Sequence, residues 1–123
     1  MTPHFSKSEL ECKCGCGEAS MSPDFLKRLE RVRIAFGRPM IISSGYRCPD
    51  YNFEIGSGKL SPHTEGRAVD VAVRGGDALK LVDVGIYCGM TGFGISQKGE
   101  SRFIHLDDAD AIKGRPRKWI WSY

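Results

Sequence analysis

The sequence predicts an α+β domain in which a small antiparallel sheet carries packed helices. Apolar residues recur at helical spacing between positions 25 and 36, whereas residues 68–73 and 102–107 alternate in hydrophobicity as strands do. The 15 glycines indicate many turns and argue against a helical bundle. Because no repeat, low-complexity stretch or linker interrupts the chain, we expect residues 1–123 to form a single domain.

Composition and net charge limit the kinds of partner that the protein is expected to bind. With 41% hydrophobic and 27% charged residues, the chain has the composition of an ordinary globular protein. Its net charge of +3 is too small to indicate nucleic-acid binding, although it favours an anionic partner such as a wall polymer. No apolar stretch has signal-peptide or transmembrane length. We therefore expect synthesis in the cytoplasm and no membrane or nucleic-acid partner.

The first half of the chain contains one clear helix. Ser22 is predicted to cap it, Pro23 to occupy its first position and Gly37 to end it. Residues 40–44 are predicted to form a short strand. Residues 46–66 are rich in Gly, Pro, Ser and Asn and are predicted to be mostly loop, with a possible helical turn at residues 49–53.

The second half alternates between strands and one helix. In the strand of residues 68–73 the valines share one face, while Asp70 lies on the other between two alanines. A helix is predicted over residues 77–88, and two further strands over residues 91–96 and 102–107. The aromatic tail of residues 119–123 is expected to pack against the domain.

Two of the three histidines lie where they could bind a metal. His63 lies in the polar loop, Asp70 follows it on a strand, and His105 lies on a second strand, on the face opposite Ile104 and Leu106. Catalytic zinc is bound by three such ligands plus water. Two histidines and one carboxylate also suit Fe(II), so the residues alone do not identify the metal. The alternative is that these side chains bind no metal and are simply packed in the protein or exposed on its surface.

Three motifs carry a family resemblance. Residues 44–47 read S-G-Y-R, residues 61–70 read S-P-H-T-E-G-R-A-V-D, and residues 103–107 read F-I-H-L-D. In combination they closely resemble the zinc D-alanyl-D-alanine carboxypeptidases. That family includes L-alanyl-D-glutamate endopeptidases of phages and bacteria, and it shares its fold with the hedgehog signalling domain. The N-terminal segment resembles the compact, phage-associated branch.

The resemblance implies roles for matching positions. His63, Asp70 and His105 would bind one catalytic Zn²⁺. Arg47 and Ser61 would contact the substrate, with a structural arginine and a turn-capping serine as the alternatives.

The general base departs from the family pattern. Several relatives place an acid three residues before the last histidine, where this chain has Arg102. Asp107 and Glu100 are the remaining candidates, and we favour Asp107. The alternative for Asp107 is that it orients a ligand imidazole.

These assignments predict a zinc metallopeptidase that hydrolyses peptidoglycan stem peptides or cross-links as a carboxypeptidase or an endopeptidase. We expect a monomer whose partners are peptidoglycan peptides. It would act on the cell wall as a phage lysin after lysis, as a virion component or as a host wall-remodelling enzyme. The alternative is a catalytically inactive, zinc-containing wall-binding module of the same fold. An Fe(II) oxygenase is disfavoured because no jelly-roll strand pattern is present.

Five cysteines are unevenly distributed. Cys12, Cys14 and Cys16 alternate with other residues, while Cys48 and Cys88 lie far along the chain. The odd count argues against a disulfide framework. The three clustered thiols, with Cys48, could bind a structural zinc, although C-x-C-x-C is tighter than the usual spacing. The alternative is a turn-rich segment with reduced thiols or with one oxidised pair.

Overall fold

The computed structural model describes residues 1–123 and contains ten elements of secondary structure. In chain order they are α1 (Lys7–Leu10), α2 (Pro23–Phe36), β1 (Ile41–Ser44), α3 (Pro49–Glu54), a 3₁₀ turn (Pro62–Glu65), β2 (Ala68–Ala72), α4 (Gly75–Tyr87), β3 (Gly92–Ser96), β4 (Phe103–Asp107) and β5 (Trp119–Ser122). The predicted α+β class is confirmed. No helix is both long enough and apolar enough to cross a membrane.

All five strands form one sheet in the order β1-β2-β4-β3-β5. The pairs among β1, β2, β4 and β3 are antiparallel, as predicted. The aromatic tail packs against the domain as predicted, and it does so as a fifth strand, which runs parallel to β3. Residues 108–118 return the chain to the start of β3. β5 can therefore run alongside β3 in the same direction and form hydrogen bonds with its otherwise unpaired backbone groups.

The two faces of the sheet differ in polarity. Alternate residues of the central strands point to one face, where they pack in a core with residues from α2 and α4. This core includes Leu29 and Leu81 from the helices and Val69, Ile104 and Leu106 from the sheet. The opposite face carries polar side chains, among them Asp70 and His105, which are paired in register.

Helix α2 begins and ends where its local sequence predicts. The Ser22 hydroxyl accepts a hydrogen bond from the Phe25 amide at 3.3 Å, Pro23 is the first helical residue, and Gly37 ends the helix with φ of 77°. The helical turn predicted at residues 49–53 is α3. Two short elements, α1 and the 3₁₀ turn, are absent from the sequence prediction because each has only four residues and shows no periodicity.

Candidate metal centre

The 3₁₀ turn holds His63 over the polar face of the sheet. The Ser61 hydroxyl accepts a hydrogen bond from the His63 amide at 3.4 Å and thereby caps the turn. Gly66 ends the turn with φ of 67°, and a Cβ there would lie 2.0 Å from the Ser20 carbonyl oxygen. Only glycine therefore fits the close approach that fixes the position of His63.

Strand pairing brings the other two predicted ligands together. Asp70 of β2 is the register partner of His105 of β4, and paired residues project from the same face. Oδ1 of Asp70 lies 3.2 Å from Nδ1 of His105 and 3.3 Å from Nε2 of His63. All three side chains are buried, and their donor atoms converge on one point.

Each imidazole uses its other nitrogen for an outer hydrogen bond. Nδ1 of His63 donates to the Gly45 carbonyl oxygen at 2.7 Å, since a carbonyl oxygen only accepts. The neutral ring therefore presents the Nε2 lone pair to the Asp70 carboxylate, which is also an acceptor. Two acceptors at 3.3 Å need a cation or a proton between them. This arrangement fits a metal ion.

The spacing of these atoms fits zinc. With zinc–ligand bonds of about 2.0–2.1 Å and tetrahedral angles, neighbouring ligand atoms lie about 3.3 Å apart. The two distances from Oδ1 of Asp70, 3.3 and 3.2 Å, match this value. His63, Asp70 and His105 would hold the ion, and three protein ligands of this kind are the set that catalytic zinc sites use.

Local charges set the protonation of these groups. Burial lowers the pKa of His63 and keeps its ring neutral. Burial also disfavours charge on His105, but hydrogen bonds to Asp107 and Asp70 outweigh it and raise the pKa of that ring. Although burial alone would raise the pKa of Asp70, the hydrogen bond from Nδ1 of His105 and the charge on that ring hold it well below its usual range. Without a metal, a proton on Nδ1 of His105 therefore bridges to Asp70.

Asp107 lies behind His105 and is fully buried. Its Oδ2 accepts hydrogen bonds from Nε2 of His105 at 2.7 Å and from Nη2 of Arg117 at 2.8 Å. Its Oδ1 accepts from Nε of Arg117 and from the Ala109 amide. Burial alone would raise the pKa of Asp107, but its bonds to His105 and Arg117 lower it to about 2. Both oxygens are thus engaged, which favours the orienting alternative over a general base.

The turn between β3 and β4 holds the other residues considered for proton transfer. Glu100 is exposed in this turn and forms no hydrogen bond or ion pair with the metal centre. Arg102 donates through Nε to the Gly99 carbonyl oxygen at 2.9 Å. The position three residues before His105 therefore stabilises the turn.

Arg47 contacts the metal centre through Asp70. Its Nη2 lies 3.4 Å from Oδ2 of Asp70, the carboxylate oxygen that does not face the imidazoles. The hydroxyls of Ser44 and Ser57 accept from its Nε and Nη1 at 3.2 and 3.4 Å. The guanidinium is therefore held in one orientation beside the ligands, with 13% of its side chain exposed.

Sequence reasoning missed several residues of the site. Trp121 of β5 lies against His105 with ring centroids 4.9 Å apart, and Arg117 lies 5.2 Å from the Trp121 ring. Gly92 and Gly94 of β3 leave room, because a Cβ would lie 2.2 Å from Asp107 at the first and 2.7 Å from Trp121 at the second. The alternating glycines of T-G-F-G were a readable signal of close approach on one face.

A family model described as Peptidase M15 matches residues 3–107. The match includes all three metal-facing residues, Arg47 and Asp107, and it ends before β5. Among curated proteins, no sequence matches this chain.

Proposed function

Because the chain belongs to the peptidase M15 family, whose members depend on zinc, we propose that it hydrolyses peptide bonds in bacterial peptidoglycan. The observation that carries the proposal is that one donor atom each from His63, Asp70 and His105 converge. The second nitrogen of each imidazole and the second oxygen of Asp70 are bonded to other protein groups, so the converging atoms are free to bind the metal. The three donor atoms would hold a single zinc ion.

The chemistry divides between the metal and the protein. Zinc at such a site polarises a carbonyl group and lowers the pKa of water. His63, Asp70 and His105 hold the ion, while the Gly45 carbonyl oxygen and Asp107 fix the orientation of the two rings.

Arg47 supplies a fixed positive charge next to the ligands, where it would bind a substrate carboxylate or stabilise the oxygen that becomes negative during amide hydrolysis. Peptidoglycan stem peptides carry such carboxylates. Ser61 is half-buried, and its hydroxyl accepts from the amide of the ligand His63, which supports a position beside the metal centre. We propose that these two residues contact the substrate.

Proton transfer motivates a second candidate function. Both carboxylate oxygens of Asp107 are engaged, and Glu100 is exposed in a turn without contacts to the site. A protein that kept the metal but lacked a general base would bind wall peptides without cleaving them. This arrangement supports the wall-binding module as the alternative.

A hydrolysis assay distinguishes the two functions. Zinc-loaded protein is incubated with purified peptidoglycan, and soluble products are identified by mass spectrometry. The proposal predicts either free D-alanine or separated stem peptides, lost with a chelator, restored by zinc and absent for His63→Ala. If the protein sediments with peptidoglycan but all muropeptides stay intact, the binding module is the correct function.

Two further parts of the proposal concern the biological setting. We propose that the protein acts on the wall as a monomer, either as a phage lysin released at lysis or as a virion component. The compact domain and its net charge of +3 support contact with an anionic wall polymer. Comparing activity on intact cells with activity on permeabilised cells tests whether the protein needs lysis to reach its substrate.

A further inference from the structure

Four cysteines that do not belong to the metal centre come together at one place. Sγ of Cys12 lies 3.4 Å from that of Cys14 and 3.8 Å from that of Cys48, and the last two are 3.7 Å apart. Cys16 completes a group, here named the cysteine cluster, in which all four sulfurs lie within 4.8 Å of one another. The fifth cysteine, Cys88, does not belong to it.

The backbone around the cluster is shaped to gather these sulfurs. Residues 13–16 form a turn, and Gly15 in it and Gly17 just after it have φ of 90° and 79°, a conformation that favours glycine. The Cys12 amide donates to the Glu18 carbonyl oxygen at 2.8 Å and closes the segment on itself. The two glycines thus fold the C-x-C-x-C run so that alternate residues meet instead of diverging.

Cys48 reaches the cluster from another part of the chain. It precedes α3, yet its side chain makes no capping hydrogen bond. Its amide instead donates to Sγ of Cys12 at 3.4 Å. An amide aimed at a sulfur stabilises negative charge there, as a thiolate ligand requires.

We propose that Cys12, Cys14, Cys16 and Cys48 bind a second, structural zinc ion as four thiolate ligands. With zinc–sulfur bonds of about 2.3 Å and tetrahedral angles, neighbouring sulfurs lie about 3.8 Å apart. The separations of 3.8 and 3.7 Å match this value, and that of 3.4 Å is close to it. A closed set of four cysteines leaves no open position, so this ion is structural rather than catalytic.

The geometry argues against the two other states of these thiols. A disulfide joins two sulfurs at about 2.05 Å and leaves the others apart, whereas here three sulfurs are mutually close at similar distances. Four unligated thiols have no physical reason to converge, because thiol–thiol hydrogen bonds are weak. A shared cation accounts for both the number of sulfurs and their spacing.

The cluster would stabilise the loop that serves the metal centre. Cys48 directly follows Arg47, and the Tyr46 amide donates to the Leu10 carbonyl oxygen at 2.8 Å. A Cβ on Gly45 would lie 2.7 Å from that same oxygen, so the two segments are in backbone contact. An ion in the cluster would cross-link residues 12–16 to the loop that carries the Gly45 carbonyl and Arg47.

Metal analysis tests the proposal independently of peptidase activity. Protein produced with added Zn²⁺ under reducing conditions is desalted, and bound zinc is measured by elemental mass spectrometry. We expect about two zinc ions per chain in the wild type and about one in His63→Ala protein. Removal of the exposed Cys14 by Cys14→Ser should lower the content by about one, whereas the control Cys88→Ser should leave it unchanged. A His63→Ala protein without zinc would overturn the proposal.

Two further measurements use no variant of the cysteine cluster and therefore test the proposal even if Cys14→Ser protein does not fold. Native wild-type protein should expose only Cys88 to a thiol reagent, and denaturation with a chelator but no reductant should expose all five cysteines. Co²⁺-loaded His63→Ala protein should show sulfur-to-metal charge-transfer absorption. Five reactive thiols in the native protein, three after denaturation, or no charge-transfer band would each overturn the proposal.

Discussion

Oδ2 of Asp107 accepts a hydrogen bond from Nε2 of His105 at 2.7 Å, on the ring edge opposite the nitrogen that faces Asp70. This bond fixes the plane of the imidazole and leaves Nδ1 as the metal-facing atom. Arg117 in turn holds the carboxylate through both of its oxygens. The chain Arg117, Asp107 and His105 therefore orients one zinc ligand from behind.

Asp107→Asn should weaken zinc binding at the metal centre. The amide retains the size of the side chain but replaces one acceptor oxygen with a donor group, which disrupts the bonds to His105 and Arg117. Loss of such an outer partner reduces metal affinity about 10–100-fold. Zinc affinity is measured by competition with a chromophoric chelator. The same titration of His63→Ala protein, which keeps only the cysteine cluster, is subtracted to isolate the metal centre.

The control for this experiment is Asp110→Asn, since the exposed Asp110 lies near in sequence and pairs only with Arg67. Its zinc affinity should match the wild type. The general-base hypothesis makes the opposite prediction for Asp107→Asn, namely intact zinc binding together with loss of hydrolysis. That result would contradict the orienting role.

The parts of the fold predicted correctly are those specified by neighbouring residues. Ser22, Pro23 and Gly37 mark both ends of α2 because a helix cap is a local interaction. The faces of β2 follow from the period of two, which placed Val69 in the core and Asp70 on the opposite face. The motifs then grouped His63 and His105 with Asp70, as the geometry does.

What the sequence did not predict depends on contacts between distant residues. The parallel pairing of β5 with β3 places Trp121 on His105, and no local pattern specifies a strand's partner. Arg117 lies in the segment that leads into β5, so its bonds to Asp107 also depend on this long-range pairing. The Gly45 carbonyl oxygen, which orients His63, is a backbone group and has no side-chain signal.

Gly92→Ala should damage the metal centre through a steric clash. The added Cβ would lie 2.2 Å from Oδ2 of Asp107 and 2.5 Å from its Cγ, and the paired strand cannot move away. The carboxylate must shift and lose its bonds to His105 and Arg117. We expect the free energy of unfolding of metal-free protein to fall by about 1–3 kcal/mol, the usual cost of overpacking, as measured by urea denaturation.

Gly76→Ala in α4 is the matched control. A Cβ there meets no heavy atom within 4 Å, and Ala is the better helix former. Its stability should equal or slightly exceed that of the wild type. If Gly92→Ala and Gly76→Ala were equally stable and bound zinc equally, the close packing of β3 against Asp107 would have no energetic importance.

Zinc binding at the metal centre should become weaker as the pH falls below the raised pKa of His105, and it should release one proton there. Burial lowers the pKa of His63, so this ring is already neutral, and the Asp70 carboxylate is ionised because its pKa is lowered. At His105 the hydrogen bonds to Asp107 and Asp70 outweigh burial and raise the pKa. Below that pKa zinc must displace the His105 proton, so its affinity should fall about tenfold per pH unit.

Calorimetric titration in Cys14→Ser protein, using buffers of different ionisation enthalpy, counts the released protons. We expect about one proton per zinc below the His105 pKa and none well above it. In metal-free protein the same raised pKa contributes stability that is complete below the ordinary histidine value of about 6.5 and is lost as the pH rises through the raised pKa. Release of two protons would show that His63 is also protonated.

Asp108→Asn should destabilise the fold through a different set of charges. The Asp108 side chain is 3% exposed and accepts from Nη1 of Arg28 at 3.0 Å and from Nε of Arg67 at 2.9 Å, which joins α2 to the end of β4. Neutralisation leaves two guanidinium groups without their shared carboxylate. Breaking a fully buried pair costs about 3–5 kcal/mol. Here the arginines are 33% and 26% exposed, so solvent screening reduces the expected loss to about 1–3 kcal/mol.

Asp77→Asn provides the comparison, because Asp77 forms a single ion pair with Arg38 in which both side chains are about half exposed. Its loss should cost less than about 1 kcal/mol. Both variants are measured by urea denaturation of metal-free protein, with the slope of the transition compared to the wild type. Added salt should reduce the small effect of Asp77→Asn more than that of Asp108→Asn, since ions screen exposed pairs more strongly than buried ones. Equal losses for the two variants would mean that burial of Asp108 does not strengthen its pairing with Arg28 and Arg67.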